Sequence, residues 1–318
     1  MGASRPEASI LTTHKGPPGV IDKLRQSLEE QSFPFKHFEW VVVDDGSEEG
    51  VPEWFHSYDG PLNIVPIQNP QNLGRAASRN KAIQAARGKV IIFLDGDMNV
   101  VQNWLASIID AVEKTGSVVL GKVSPHYTLP KTKFVRYIHS RGAQKLGDRE
   151  KCPGRYFSTN NSAMPAEILR RFGGFDETFT GWGGEDLEMG LRLERGGVKF
   201  TTHFKAKAFH RHHRDWYAIE RQYTEYGRQG VPYIYDLYGD YDNILGLDRL
   251  QSPLQARSLG ETVSRLMVQW FNREWAYKIG RSFVVRWPEG PWPDRLFDFL
   301  LFYLYSRGLV ERQKGAGK

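Results

Sequence analysis

The sequence predicts an α/β protein built on a doubly wound, mostly parallel sheet, followed by a mostly helical C-terminal extension. Three observations predict it. Apolar, β-branched runs alternate with helix-periodic segments through the first hundred or so residues. Two of those runs, FEWVVV at 38–43 and KVIIFL at 89–94, pass directly into acidic clusters, as strands ending at a ligand crevice do. From Trp216 onward the pattern changes to periodic Leu, Trp, Tyr and Arg.

Taken in order, residues 8–13 (ASILTT) read as a first strand, and 20–31 as a helix through Val20, Ile21, Leu24 and Leu28. The strand at 38–43 ends at Asp44-Asp45-Gly46-Ser47, and 62–67 is a further strand. Residues 73–87 have helical spacing, with Gly88 as the C-cap. The strand at 89–94 ends at Asp95-Gly96-Asp97; a helix at 104–112 and a strand at 117–120 follow. Residues 122–213 are less regular. They hold a helix at 187–195 stopped by Gly196-Gly197, then strands at 198–201 and 205–209 leading into His210-Arg211-His212-His213. Helices are expected within 258–279 and 294–307. The apolar block 296–305 is interrupted by Asp298 and is too short to span a bilayer, so it reads as a buried helix. The expected division is 1–213, with an internal break between about 100 and 101, and 214–318.

Composition excludes several classes. With 40% hydrophobic residues in 318, a mainly disordered chain is ruled out. The one cysteine, Cys152, allows neither an intramolecular disulfide nor a Cys-cluster metal site. No run reaches the length of a membrane span and the N-terminus has no signal-like core, so the expected location is cytoplasmic, with peripheral contact on the inner membrane face as a variant. The net charge of +6 is too small to imply a nucleic-acid partner. It is concentrated: residues 122–155 hold nine basic side chains against two acidic ones. That stretch is either a solvated face or an attraction for a phosphate-bearing partner: a small diphosphate, a lipid-linked molecule or a bilayer surface.

Several side chains carry candidate chemistry. Asp95 and Asp97 can share a divalent cation, one directly and one through water or a sugar hydroxyl; the same residues also make ordinary turns. Asp44 and Asp45 can accept hydrogen bonds from a base or ribose, or cap a turn. Asn72 to Arg75, with Arg79 and Asn80, open a helix whose N-terminus suits an anion. In Gly181–Asp186 three glycines surround Trp182, which can stack on a sugar, and Glu185 and Asp186 fall in a first helical turn. A general base suits this arrangement better than a dipole cap. His210 can be a third metal ligand, with His212 and His213 supporting it or merely exposed.

In combination, VVVDDGS (41–47), NLGRAASRNKAIQAARGKVIIFLDGD (72–97) and FGGFDETFTGWGGEDLEMGLRLERGG (172–197) resemble the inverting glycosyltransferases of family 2, whose nucleotide-sugar-binding fold is called GT-A. The last segment looks like the acceptor-side motif of galactosyl- and N-acetylgalactosaminyltransferases. The resemblance spans about residues 8 to 213. It implies transfer of a sugar from a nucleotide-diphosphate donor, with UDP favoured, to a hydroxyl of a glycan, polysaccharide or lipid-linked saccharide. Asp44 would contact uracil or ribose, with Asp45 nearby. Asp95 and Asp97 would hold the diphosphate through Mn²⁺ or Mg²⁺, and His210 would complete the coordination. Arg79 would orient the sugar or the Asp97 end of the metal motif. Asp186 aligns with the catalytic base, and Glu185 and Trp182 with contacts to acceptor or donor sugar. Thr12, Asn72, Gly96 and Gly183 complete the implied donor-binding set. The chain departs from the family where a Pro-Thr-Tyr-Asn-like segment is usual: it has Thr12-Thr13-His14-Lys15. Two rivals fit less well. A sugar-nucleotide pyrophosphorylase needs a Gly-rich basic loop that 10–20 lacks, and a non-catalytic glycan-binding protein would not need Asp95, Asp97 and Asp186 intact.

Overall fold

The computed structural model describes residues 5–212, 214–239, 245–250 and 253–316, so His213 lies outside it. The chain divides into two compact units. The first comprises residues to Pro130, His139–Thr180 and Glu185–His213; the second takes Lys131–Ile138, Gly181–Gly184 and the chain from Arg214.

In the first unit the order is β1 (Ala8–His14), α1 (Pro18–Glu29), β2 (Phe38–Asp44), α2 (Trp54–Ser57), β3 (Ile64–Gln68), α3 (Arg75–Ala85), β4 (Val90–Leu94), β5 (Met98–Val100), α4 (Trp104–Thr115) and β6 (Val118–Pro125). After α5 (Lys133–Ile138), which belongs to the second unit, come β7 (Asn161–Pro165), α6 (Ala166–Phe172), α7 (Glu185–Arg195) and β8 (Phe200–His210). The eight strands form one sheet in the order β3-β2-β1-β4-β7-β6-β8-β5. β3, β2, β1 and β4 are parallel, as are β6 and β8, whereas β7 and β5 run antiparallel to their neighbours. The sheet is therefore mixed and mostly parallel.

Both faces are covered, which is why the inner strands are largely apolar and every residue of β2, Glu39 and Asp44 included, is buried. Ile10, Trp40, Val42 and Ile92 pack with Leu24 of α1 and Ile108 of α4. Leu11, Val41, Val43 and Phe93 point the other way, toward Ala82 of α3 and Met189 of α7.

Two expectations change. Gly88 is not the cap of α3, which ends at Ala85 with Ala86 as its C-cap; a Cβ at Gly88 would stand 2.4 Å from Ser9 N, so glycine is there to let the chain pass β1. The two strands expected between 198 and 209 are one, β8, whose pairing with β6 shifts register between Gly121 and Lys122.

The second unit contains α8 (Trp216–Arg228), α9 (Gly230–Tyr238), α10 (Leu259–Phe271), α11 (Glu274–Arg286) and α12 (Asp294–Ala316) with α5. Its core includes Tyr137, Trp216, Ile219, Tyr277, Phe297 and Leu300. The apolar block 296–305 lies in α12 and is largely buried; its interrupting Asp298 accepts a hydrogen bond from Tyr137 Oη at 2.7 Å. Among the described residues no helix is long and apolar enough to cross a membrane.

Candidate active site

Parallel strands bring their C-terminal ends to one edge of the first unit. β1 and β2 are registered so that His14 pairs with Asp44, and β4 ends beside β1 at Leu94. Asp95 and Asp97 lie in the connection from β4 to β5. β5 pairs antiparallel with the end of β8, Met98 opposite His210, and Arg211 N donates to Asp97 O at 2.9 Å. That register sets His210 Nε2 3.2 Å from Asp97 Oδ2.

Arg79, on the inward face of α3, organises the acids. Its side chain is only 7% exposed, and Nη1 donates to Glu185 Oε1 at 2.9 Å and Asp186 Oδ1 at 3.3 Å. Nη2 is 3.8 Å from Asp95 Oδ1, and the guanidinium carbon stands 5.3 Å from the Phe175 ring. Arg79 is thus engaged with carboxylates, including Asp95 rather than the Asp97 end. Glu185 and Asp186 reach it because α7 begins at Glu185 and seats Met189 and Leu193 against the sheet. Asp186 Oδ2 accepts from Thr159 N at 3.1 Å and Thr159 Oγ1 at 3.3 Å. Thr159 precedes β7, whose Asn161 pairs with Leu94, so the same ladder that places Asp95 places Thr159.

The electrostatics follow. Three carboxylates meet one guanidinium, and Asp97 adds its charge to Asp95. Burial, then the Asp97 charge, raise the Asp95 carboxyl above its ordinary value against the pull of Arg79 and Arg75. Asp186 is pushed up to about 6, by burial first and then by the Glu185 and Asp95 charges, against Arg79. Burial and the surrounding acids act oppositely on Arg79, and the acids win, so it stays charged.

Other expected residues are placed differently. Asp44 accepts from Ser47 Oγ at 2.5 Å and Ser47 N at 3.2 Å. Asp45 accepts from Leu73 N at 2.8 Å, Asn69 Nδ2 at 3.0 Å and Gly74 N at 3.1 Å, pinning the start of α3. Asn72 is exposed and its Oδ1 accepts from Gly74 N. Thr12 is fully buried and its Oγ1 accepts from Trp40 Nε1 at 2.9 Å, so its side chain faces the core. Gly96 backs onto Thr12 and His14. His212 is exposed, its ring 6.5 Å from that of His210.

Trp182 and Gly183 belong to the second unit. The Trp182 ring lies 5.3 Å from Tyr223 and 6.4 Å from Tyr226, with the Arg214 guanidinium 5.8 Å away. Gly183 and Gly184 have φ of +86° and +108°, a backbone that side-chain-bearing residues rarely adopt, and they hand the chain to α7.

A family model described as glycosyl transferase family 2 matches residues 9–173. The chain belongs to that family. A second model, described as the N-terminal domain of galactosyltransferase, matches residues 148–214, across Glu185, Asp186 and His210. Validoxylamine A glucosyltransferase of Streptomyces hygroscopicus subsp. jinggangensis is 28% identical over 226 residues, 62% of this chain and 53% of that protein. Hyaluronan synthase of Pasteurella multocida is 28% identical over 266 residues, 71% of this chain and 27% of that protein. The chain thus spans about half, or less, of these curated relatives. Among solved structures, the Pyrobaculum calidifontis mannosyltransferase PcManGT in complex with GDP-Man and Mn²⁺ aligns with TM-score 0.62 at 17% identity, covering 97% of this chain and 87% of that one. S. aureus TarS in complex with UDP-GlcNAc aligns with TM-score 0.56 at 16% identity, covering 96% and 92%. These likenesses establish the GT-A fold of the family 2 chain.

The family implies a divalent cation, and the residues can be tested for it. Among the described residues no three His, Cys, Asp or Glu side chains converge as a cation site. Of the expected Asp95, Asp97 and His210, the last two are in direct contact, and Asp95 lies 3.8 Å from Arg79. The pair still fits. Adjacent ligands of an octahedral ion with bonds of about 2.1 Å lie roughly 3 Å apart, close to the 3.2 Å between Asp97 and His210. Mg²⁺-type sites take one or two protein ligands and fill the rest with phosphate and water, and the local excess of acid favours a cation.

Three neighbours escaped the sequence reading. His14 Nε2 donates to Gly16 O at 3.0 Å, and burial holds its imidazole below the ordinary value despite the Asp44 and Asp97 charges. The His139 ring is 5.3 Å from that of His210. Thr159 is the third. His14 lay inside the segment that departs from the family pattern, which was a signal; Thr159 and His139 had none.

Proposed function

We propose that this family 2 chain is a metal-dependent inverting glycosyltransferase, with a nucleotide-diphosphate sugar as donor and a saccharide or lipid-linked hydroxyl as acceptor. One observation carries the reading: Asp186, the candidate base, and Asp95, of the candidate metal motif, are held by one buried guanidinium, Arg79. Deprotonation of an acceptor and departure of a diphosphate must occur within a few ångströms of each other.

Asp186 takes the proton of the acceptor hydroxyl, whose oxygen attacks the anomeric carbon as the bond to the diphosphate breaks in line, and configuration inverts. A carboxyl raised to about 6 is suited to this, since a base works best with a pKa near the operating pH. Arg79 and Thr159 fix its two oxygens. Glu185 is 4% exposed and its Oε2 has no hydrogen-bond partner, so it can accept a sugar hydroxyl. Asp97 and His210 would hold the cation, which supplies charge for the leaving diphosphate. The complexes of the solved relatives, with GDP-Man and with UDP-GlcNAc, support a nucleotide-sugar donor, and a UDP-sugar is the first candidate.

The test is Asp186→Asn. A panel of nucleotide sugars with Mn²⁺ first identifies the donor by thermal stabilisation. The variant should keep that stabilisation and lose about 10²–10⁴ in turnover. Full turnover by the variant on the true acceptor would remove Asp186 as the base.

A further inference from the structure

Two helices of the second unit carry apolar side chains that their own unit leaves uncovered. On α10, Leu259, Val263, Leu266, Met267 and Trp270 recur at helical spacing on one face and all are exposed, Leu259 to 81% and Trp270 to 70%. On α11, Trp275, Ile279 and Phe283 repeat every fourth residue and Trp287 follows, each more than half exposed. Phe271 and Trp275, 6.4 Å apart, join the two stripes. The buried Arg265 lies opposite the stripe on α10, whereas on α11 the buried Ala276, Tyr277, Gly280 and Val284 lie about a quarter-turn from it. The exposed stripes are thus apolar where an ordinary surface helix is polar. Scattered exposed apolar residues need no explanation, but a continuous patch marks an interaction surface.

Its charges favour one occupant. Lys278, paired with Glu274 at 2.9 Å, lies three residues after Trp275, and Arg286 three after Phe283, so both exposed cations border the stripe. Lys133 N donates to Pro288 O at 3.2 Å, which brings the exposed Arg136 of α5 and Lys131, just before it, beside the Trp287 turn. These belong to the basic stretch at 122–155 that the active site does not use. Tryptophan at a polar–apolar boundary, with cations whose stems reach over apolar surface, matches a lipid interface. A two-fold contact between copies would instead set this basic face against itself.

We infer that the face formed by α10, α11 and the start of α5 docks in the plane of an anionic lipid bilayer. The inference does not depend on the transferase reading, because vesicle binding is measured without substrate.

The experiment is co-sedimentation of the full chain with phosphatidylcholine vesicles, with and without about one-third phosphatidylglycerol. The expected result is binding to the anionic vesicles, weaker binding to the neutral ones, and loss of the difference in high salt. The double variant Trp270→Glu/Trp275→Glu should lower partitioning at least about tenfold. Lys131→Glu, Arg136→Glu and Lys278→Glu should each lower it about fivefold at low salt. Lys114→Glu, at an exposed position on α4 of the first unit, should leave it unchanged. Circular dichroism and thermal midpoints establish that the variants are folded. No binding to either vesicle overturns the inference. So does binding indifferent to both sets of variants, and so does a wild-type dimer that the Trp double variant turns into monomers while no vesicle binding is seen.

Discussion

In the first unit Arg79 is 7% exposed and faces three carboxylates, whereas in the second Trp270 is 70% exposed with its ring in solvent. The first unit spends its folding energy holding the charges of Arg79 and Glu185 almost wholly out of water. The second leaves apolar surface where water can. Neither arrangement is what stability alone would select: a buried charge cluster costs desolvation, and an exposed apolar stripe forfeits burial. Each is expected where a protein meets something else, a polar ligand in one case and an apolar phase in the other.

The largest effect separates them directly. Arg79→Met would leave Glu185, itself buried, facing Asp186 without the cation between them. Removing one partner of a buried ion pair costs about 3–5 kcal/mol, which urea unfolding of the variant would read. Trp270→Glu changes only a solvent-facing side chain and should stay within about 0.5 kcal/mol of wild type. Equal stabilities for the two variants would break the comparison.

The next effect is in the pH dependence of the charge cluster. Asp186 is ordinarily near 3.8 and is raised to about 6 in the folded protein, so the folded state binds the proton more tightly than the unfolded. Its contribution to stability is therefore most favourable at the acid end and is lost as pH rises through about 6. In metal-free protein, the thermal midpoint of wild type should fall relative to Asp186→Asn over that window. In turnover the sign of the benefit reverses, because the base must be ionised: kcat/KM should decline below about pH 6. Glu185→Gln removes a like charge and should move that decline to lower pH. An unmoved pH profile would mean that Glu185 does not act on Asp186.

The comparison also explains what could be read from the sequence. The inner strands were legible because both faces of the sheet are covered, so β4 is an unbroken apolar run and β2 one interrupted only by Glu39 before its terminal Asp44. β5 was not, because Met98–Val100 is three residues long with polar Asn99 between. β7 was not, because Asn161–Pro165 (NSAMP) has no β-branched or aromatic residue; it is fixed by tertiary bonds, Trp104 Nε1 donating to Asn161 Oδ1 at 2.9 Å and Asn161 Nδ2 donating to Lys122 O and Ala206 O. In the site, Asp95, Asp97, Glu185, Asp186 and His210 stood out because they sit at strand ends and a helix start. The arginine that joins them was noticed as a candidate for an anion, yet its actual partners are carboxylates more than a hundred residues away in the chain. That pairing depends on α3 and α7 sharing one face of the sheet, which no local pattern encodes. The segments 131–138 and 181–184 group with the C-terminal helices for the same reason.

Thr159 supplies the smallest and most specific test. It donates to Asp186 Oδ2 twice, from its backbone N and from Oγ1, and both bonds favour the ionised carboxylate. Thr159→Val keeps the backbone bond and the side-chain shape and deletes the other. A hydrogen bond contributes about 0.5–1.5 kcal/mol, and this one, at 3.3 Å, belongs at the low end. One pH unit corresponds to about 1.4 kcal/mol, so the acid limb of kcat/KM should move up by about half a unit. Thr159→Ser, which keeps the hydroxyl, should restore it. If Thr159 only packed the loop before β7, the valine variant could lose stability but would leave the limb in place. The direction of that shift, opposite to the one expected for Glu185→Gln, would show the two neighbours of Asp186 pulling its proton affinity in opposite senses.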